Sequence, residues 1–553
     1  MRKLFAGVLA VTLVGFVIAP ETKVYSQRRV ASRTFYASNQ ILVKLKADVE
    51  FDSDTQEASE FVARVRGARV EPLQKSKRGG LYRVDLDGGL SVEEAVEQMA
   101  KDPRVEYAEP DYLLYPSAIP NDSLFAQQWS LMNTGAFGVG KVGADISATR
   151  AWDLTTGSNN LVVAVIDTGC DLSHPDLAPN AWVNPREVLG NGVDDDGNGY
   201  VDDRSGWNFV ANRPDTYDNA TTDWHGTHVS GAIGAAGDNS MGVTGIAWRV
   251  KLMSLKFIGD GTGNTGNAVK AINYAMDQKR RGVNVRVINA SWGGPNPSQS
   301  LKDAIRAAGN AGILFVCAAG NGSLDGSGDD LDSNPYYPAA WSAELSSIIA
   351  VAAVDYLDNY ASFSNYGYST VQVGAPGVNT YSTIPGGDYG YGAGTSMASP
   401  HVTGVAALLF SKDPSLSPSE ARRRIVKSAD PLATLAGRVE SSGRVNAYNA
   451  LTNTPQKAPT QPAIGSVHTN KKKVTVDGIG FAQGATVIEV NGVALPKTKY
   501  DSSRALADGS STEMSAKLGK SGIAQTFPRG VMVTVTVFNT ATGERSAPFA
   551  YTN

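Results

Sequence analysis

The sequence predicts an α/β protein: a largely parallel sheet with helices on both faces, a small ferredoxin-like unit ahead of it and a β-sandwich behind. Three patterns carry that reading. From residue 118 to about 452, short β-branched-rich runs bounded by turns alternate with helical stretches, the signature of βαβ units. Residues 40–115 follow the order β-α-β-β-α-β, a split ferredoxin-like pattern. Beyond residue 464, strand-like alternation is punctuated by Gly478, Gly480, Gly484 and Gly492, as in a sandwich of short strands.

At the N-terminus, Arg2 and Lys3 precede an apolar run over residues 4–19 and then polar residues, the layout of an export signal. Cleavage after Ser26 leaves Val24 and Ser26 at the small-residue positions, and Pro20 disfavours cleavage after Ala19. The run is shorter than the ~20 apolar residues that span a bilayer, so a secreted, monomeric protein with no stable membrane anchor is expected. The resulting division is residues 1–26 as signal, 27–117 as the ferredoxin-like unit, 118–452 as the large α/β unit, 453–463 as a Thr- and Pro-containing linker and 464–553 as the sandwich.

In the first unit, strands are expected over residues 41–46, 68–73, 81–86 and 105–113, with helices over 55–66 and 91–101; Ser91 and Glu94 form a capping box at the second helix. In the large unit, strands are expected over 161–166, 252–257, 285–289, 313–318 and 348–354, with helices over 267–281 and 297–310. In the tail they fall over 473–477, 485–491 and 531–538. A chain of 553 residues, 42% hydrophobic and 19% charged, can bury cores of this size. Its net charge of -4 argues against a nucleic-acid partner, and the basic run Lys471, Lys472, Lys473 reads as a solvated strand edge. Two cysteines, Cys170 and Cys317, allow one disulfide in a secreted chain or two buried free thiols.

In a parallel sheet, functional groups lie just beyond the strand C-terminal ends. Asp167 ends the first strand of the large unit, followed by Thr168 and Gly169; a carboxylate there can orient a neighbour. His225 begins a small-residue helix start, Gly226-Thr227-His228. Asn321 follows the strand at 313–318, where a side-chain amide can donate to a developing oxyanion. Ser396 lies in Gly394-Thr395-Ser396-Met397-Ala398-Ser399-Pro400, where a glycine turn becomes a helix with proline in its first turn, exposing a hydroxyl at a helix N-terminus. His225 and His228, three apart, could instead hold zinc, but no third ligand is evident.

Asp167-Thr168-Gly169, His225-Gly226-Thr227-His228 and Gly394-Thr395-Ser396-Met397-Ala398, with the Asn321 segment, resemble the signature motifs of the subtilisin-type serine proteases, nearest the thermitase-like branch. The likeness covers residues 120 to about 450. It implies an endopeptidase in which Ser396 attacks the peptide carbonyl, His225 acts as base and then acid, Asp167 holds the imidazole, and Asn321 with the Ser396 backbone N–H binds the oxyanion. Ser291, Trp292, Gly293 and Gly294 match the family's substrate-binding strand, whose glycines leave room for peptide side chains. The ferredoxin-like unit resembles the family's propeptide, an intramolecular inhibitor and folding aid, with self-cleavage between about residues 113 and 119. Cleavage after large apolar or aromatic residues is implied; Asp325, Asp329, Asp330 and Asp332 raise a preference for basic residues as an alternative. An inactive subtilase-fold binding protein is the reading from a different class, although all four catalytic positions are filled.

Calcium is the expected cofactor. Asp194, Asp196, Asn198, Gly199, Tyr200 and Asp202 reproduce the alternating oxygen ligands and turn glycine of a calcium loop, with Tyr200 offering its carbonyl. Ser205 stands where an EF-hand has its glutamate, so the loop is not an EF-hand; a solvated acidic loop is the alternative. By resemblance, Asp122, Asp176 and Asn239 match a family calcium site with carbonyls of the loop 239–243, one residue longer than the usual pattern. Gly480-Phe481 and Val490-Asn491-Gly492 give the tail a likeness to immunoglobulin-like TIG modules.

Overall fold

The computed structural model describes residues 36–553 apart from residue 54 and the segments 75–77, 113–117, 323–325, 456–460 and 507–509. The expected signal, most of the expected self-cleavage segment and Asp325 lie outside the described residues. Residues 1–116 and 117–553 form two units.

The first unit is a four-stranded antiparallel sheet in the order Gly67–Pro72, Leu81–Leu86, Tyr36–Leu45, Val105–Tyr112, with helices Gln56–Ala63 and Val92–Met99. Alternation in Leu81–Leu86 buries every second residue, and Ile41, Val43, Phe61, Val84 and Met99 form the core. This is the expected ferredoxin-like order. The Ser91–Glu94 capping box is formed in both directions.

The second unit is centred on a nine-stranded sheet. Its strands run in the order Asp430–Pro431, Gly443–Arg444, Val373–Pro376, Ile348–Val354, Leu314–Ala318, Val285–Ala290, Gly157–Asp167, Arg249–Lys256 and Gly206–Asn208. All neighbouring pairs are parallel except the first. The strand Gly157–Asp167 shows why its sequence is apolar throughout: Val163 and Val165 enter the core on one face, Val162, Ala164 and Ile166 that on the other. Both faces being buried, no polar alternation survives. The helix Thr395–Lys412 is buried along nearly its whole length. Cys170 and Cys317 are buried free thiols, so the disulfide alternative is not realised.

Beyond it, sheets of four strands each pack around Val476, Phe481, Ile488 and Val535, the expected sandwich, with an unforeseen helix Gly519–Thr526. The sandwich lies directly on the large unit. Arg504 stacks over the Tyr368 ring at 4.3 Å, and a Cβ on Gly465 would come 1.7 Å from the Ala433 carbonyl oxygen.

Candidate active site

Asp167 ends its strand in register with Lys256 of the neighbouring strand, and its side chain is buried. His225 enters from the start of helix Trp224–Gly234. That helix approaches the Asp167–Gly169 turn so closely that a Cβ on Gly226 would lie 2.0 Å from the Gly169 carbonyl oxygen, which accounts for glycine after the histidine. His225 Nδ1 and Asp167 Oδ1 are 2.7 Å apart. A carboxylate only accepts, so Nδ1 carries the proton and Nε2 keeps a lone pair facing outward. Burial disfavours the imidazolium, but the charge and hydrogen bond of Asp167 outweigh it, and the His225 pKa is raised from its ordinary value.

Ser396 is the second residue of helix Thr395–Lys412, where backbone N–H groups have no intrahelical acceptor and the helix dipole is positive. Its Oγ donates to the Ser291 carbonyl at 3.0 Å. No His225–Ser396 hydrogen bond is formed among the described residues; in an enzyme without substrate such bonds are commonly still unformed. Pro400 lies in the second turn of the helix rather than the first. Lacking an N–H, it leaves the carbonyl four residues back, that of Ser396, without its helical partner. Ser291 Oγ fills the gap, donating to Ser396 O at 2.8 Å, and Ser291 is held in turn by Asn289 and Ser399.

Asn321 follows strand Leu314–Ala318 and stands beside the serine turn. Its Oδ1 accepts from the Thr395 N–H and Oγ1, which fixes Nδ2 as the outward donor. Gly394, at φ +143°, brings the turn within reach of that amide.

Of the expected substrate strand, Ser291 and Gly293 keep that role open. The Trp292 indole is turned inward, its Nε1 donating to Ile166 O at 2.7 Å and its ring against Phe257, so only its backbone remains. Gly294 is a correction: its N–H and C=O exchange hydrogen bonds of 2.8 Å with Tyr337, so neither is left for a peptide. The zinc alternative also fails. His225 Nδ1 is committed to Asp167, and buried His228, its pKa lowered by burial to about 4, faces the Thr380 carbonyl at 3.2 Å.

The sequence pattern of the Subtilase family matches residues 158–485. This chain belongs to the subtilase family. The fervidolysin N-terminal prodomain pattern matches residues 23–111. The chain is 35% identical over 419 residues to the thermophilic serine proteinase of Bacillus sp. strain AK1, covering 75% of this chain and 88% of that one. It is 38% identical to thermitase of Thermoactinomyces vulgaris, over 55% of this chain and 93% of that one, and 36% identical to subtilisin NAT of Bacillus subtilis subsp. natto, over 61% and 73%. The subtilase is therefore a serine-type endopeptidase with an N-terminal prodomain.

Two groups of carboxylates, the first buried and the second partly so, bear on calcium in this subtilase. In the first, Asp176 accepts from Asn239 Nδ2, the Val243 N–H and the Tyr389 hydroxyl. Asp122 Oδ2 accepts from the Asp238 N–H, but its buried Oδ1 has no partner. Burial, reinforced by the charges of Asp176 and Asp238, pushes the Asp122 pKa up to about 6. A cation fits such a donor set, because it would relieve both the orphaned oxygen and the repulsion. In the second group, oxygens of Glu187, Asp194 and Asp196 lie within 4.8 Å of one another, and Asp196 Oδ1, buried without a hydrogen bond, has the Arg281 guanidinium 3.6 Å away. Burial and the charges of Asp196 and Asp195 raise the Glu187 pKa.

The expected loop ligands are only partly gathered there. Asn198 donates to Asp203 and accepts from the Tyr200 N–H. Asp202 is turned away, accepting from the amides of Gly190, Asn191 and Gly192, which makes it the cap of the preceding loop. Glu187 and Tyr389 escape the sequence reading because each reaches its site from a segment with no ligand spacing of its own.

Proposed function

We propose that this subtilase is a secreted, calcium-dependent endopeptidase made as a self-processing precursor. Ser396 Oγ attacks the scissile carbonyl as His225 Nε2 takes its proton. Asp167 holds the ring in the correct tautomer and stabilises the imidazolium. The oxyanion is received by Asn321 Nδ2 and the Ser396 N–H; the imidazolium then protonates the leaving amine, and water repeats the cycle on the acyl-enzyme. The observation that carries the reading is the 2.7 Å Asp167–His225 contact, with the ring's free nitrogen directed away from the carboxylate.

The N-terminal unit acts in this reading as an intramolecular inhibitor until Ser396 cuts it away. Calcium, where bound, ties loops together by charge and stays outside the reaction. Asp122 and Asp176 with Asn239 would hold one ion, and Glu187, Asp194 and Asp196 a second, aided by Asn198 Oδ1 and the Tyr200 carbonyl. The test is labelling by a fluorophosphonate probe, which Ser396→Ala should abolish. A folded wild-type protein that never labels, while still binding peptides, would establish the inactive binding protein instead.

A further inference from the structure

The glycines of the substrate strand are expected to leave room for a peptide side chain, but at one of them the room is taken. A Cβ on Gly293 would lie 2.3 Å from Cε1 and 2.9 Å from Cδ1 of Tyr336. A Cβ on Gly320 would lie 3.0 Å from the same two atoms. The Tyr336 ring thus fills the gap between two stretches of bare backbone, one leading from Ser291 and one leading into Asn321. The ring is supported from behind by the core on that face of the sheet, and burial raises its hydroxyl pKa.

That gap decides which residue can be cut after. In the proposed reaction the scissile carbonyl oxygen points at Asn321 Nδ2, and its carbon meets Ser396 Oγ. A peptide running along Ser291–Gly293 must then direct the side chain of the residue contributing that carbonyl between Gly293 and Gly320. We infer that Tyr336 fills the floor of this subsite, so that the protease cleaves after small residues such as Gly, Ala and Ser and disfavours large apolar and aromatic ones. A packed interior resists an inserted ring because the atoms already there must leave their rotamers. Two of the carboxylates behind the alternative preference for basic residues are engaged in their own loop: Asp332 accepts from the Ser369 N–H and the Thr370 hydroxyl, and Asp330 from the Asp332 N–H.

The inference rests on Ser396 being the nucleophile, and the experiment separates the two. Active enzyme is first counted with the fluorophosphonate probe, then given a peptide library varied only at the residue preceding the cleaved bond. The expected result is a kcat/KM for Ala at least about tenfold above that for Phe. Tyr336→Gly should raise the Phe value relative to the Ala value by a similar factor; Tyr336→Phe, which keeps the ring, should retain the native preference. If wild-type enzyme that labels fully cuts after Phe or Leu as readily as after Ala, the assignment of Tyr336 is overturned and the protease reading stands. Consistent cutting after Lys or Arg overturns it equally. Absence of labelling removes both. Because the wild-type profile is itself decisive, a variant that misfolds does not shelter the proposal.

Discussion

Asn321 Oδ1 accepts two hydrogen bonds from a single residue, Thr395: from its N–H at 2.8 Å and from its Oγ1 at 2.9 Å. Thr395 Oγ1 also accepts from the Gly320 N–H at 3.1 Å, so the residue preceding the serine stitches the oxyanion segment to the catalytic helix. Removing the donor itself, Asn321→Ala, should lower kcat by about 10²–10³ with little change in KM. Thr395→Ala leaves the backbone bond and loses the hydroxyl, so its kcat should fall by only about tenfold. Steady-state kinetics on active-site-titrated enzyme checks both, and an unchanged kcat in Asn321→Ala would remove that residue from the oxyanion site.

The raised pKa of His225 fixes the acid limb of the rate profile. The base must be neutral, and a raised pKa keeps the ring protonated to higher pH. Activity is therefore lost as pH falls through a value above the ordinary 6.5 of histidine. Asp167→Asn removes the negative charge and with it the charge-assisted hydrogen bond that raise the pKa, and leaves burial, which lowers it. The limb should move to lower pH while kcat drops on the order of 10⁴. A limb that stays in place in this variant would belong to another group.

Calcium removal should be felt as lost stability. A ligand held at a hundredfold excess over its Kd contributes about 2.7 kcal/mol, about 3 °C in Tm per ion for a unit as large as residues 117–553. Excess EDTA should lower Tm by that order, and calcium but not magnesium should restore it. Asp122→Asn, which removes charge from a carboxylate whose Oδ1 is orphaned, should shrink the EDTA effect. A melting curve indifferent to chelator would contradict both sites.

What the sequence reveals here is what is written locally. Each member of the Asp167, His225, Ser396 and Asn321 set carries its own turn or helix-start signal, and the strands beneath them are apolar because both sheet faces are covered. Tyr336 carries no such signal. It lies in a loop, and its meaning comes from Gly293 and Gly320, which approach it from two different strands. Asp202 misleads for the opposite reason: it fits the alternating pattern, but the short loop at 190–192 has exposed amides that capture its carboxylate first. Pro400 looks like a first-turn residue because proline favours that place; the helix tolerates it a turn later because Ser291 satisfies the carbonyl it frees.

Lys256 is the least conspicuous of these tertiary residues, a charged side chain at the buried end of strand Arg249–Lys256. It is fully buried. Its Nζ donates to the Thr168 carbonyl, next to Asp167, and to Asp223 Oδ1 at 2.5 Å, the latter also fully buried. Asp223 in turn receives the Thr227 hydroxyl on its carbonyl, so the pair joins the turn after Asp167 to the helix start that carries His225. Removing one partner strands a buried charge, and Lys256→Met should cost about 3–5 kcal/mol. The double variant Lys256→Met/Asp223→Asn removes the fully buried charges and leaves only the part-exposed Asp218 without Lys256, still paired with Arg213, so it should recover more than half of that loss. Denaturant unfolding of the two singles and the double measures the coupling directly; additive losses would show that Lys256 and Asp223 do not depend on each other.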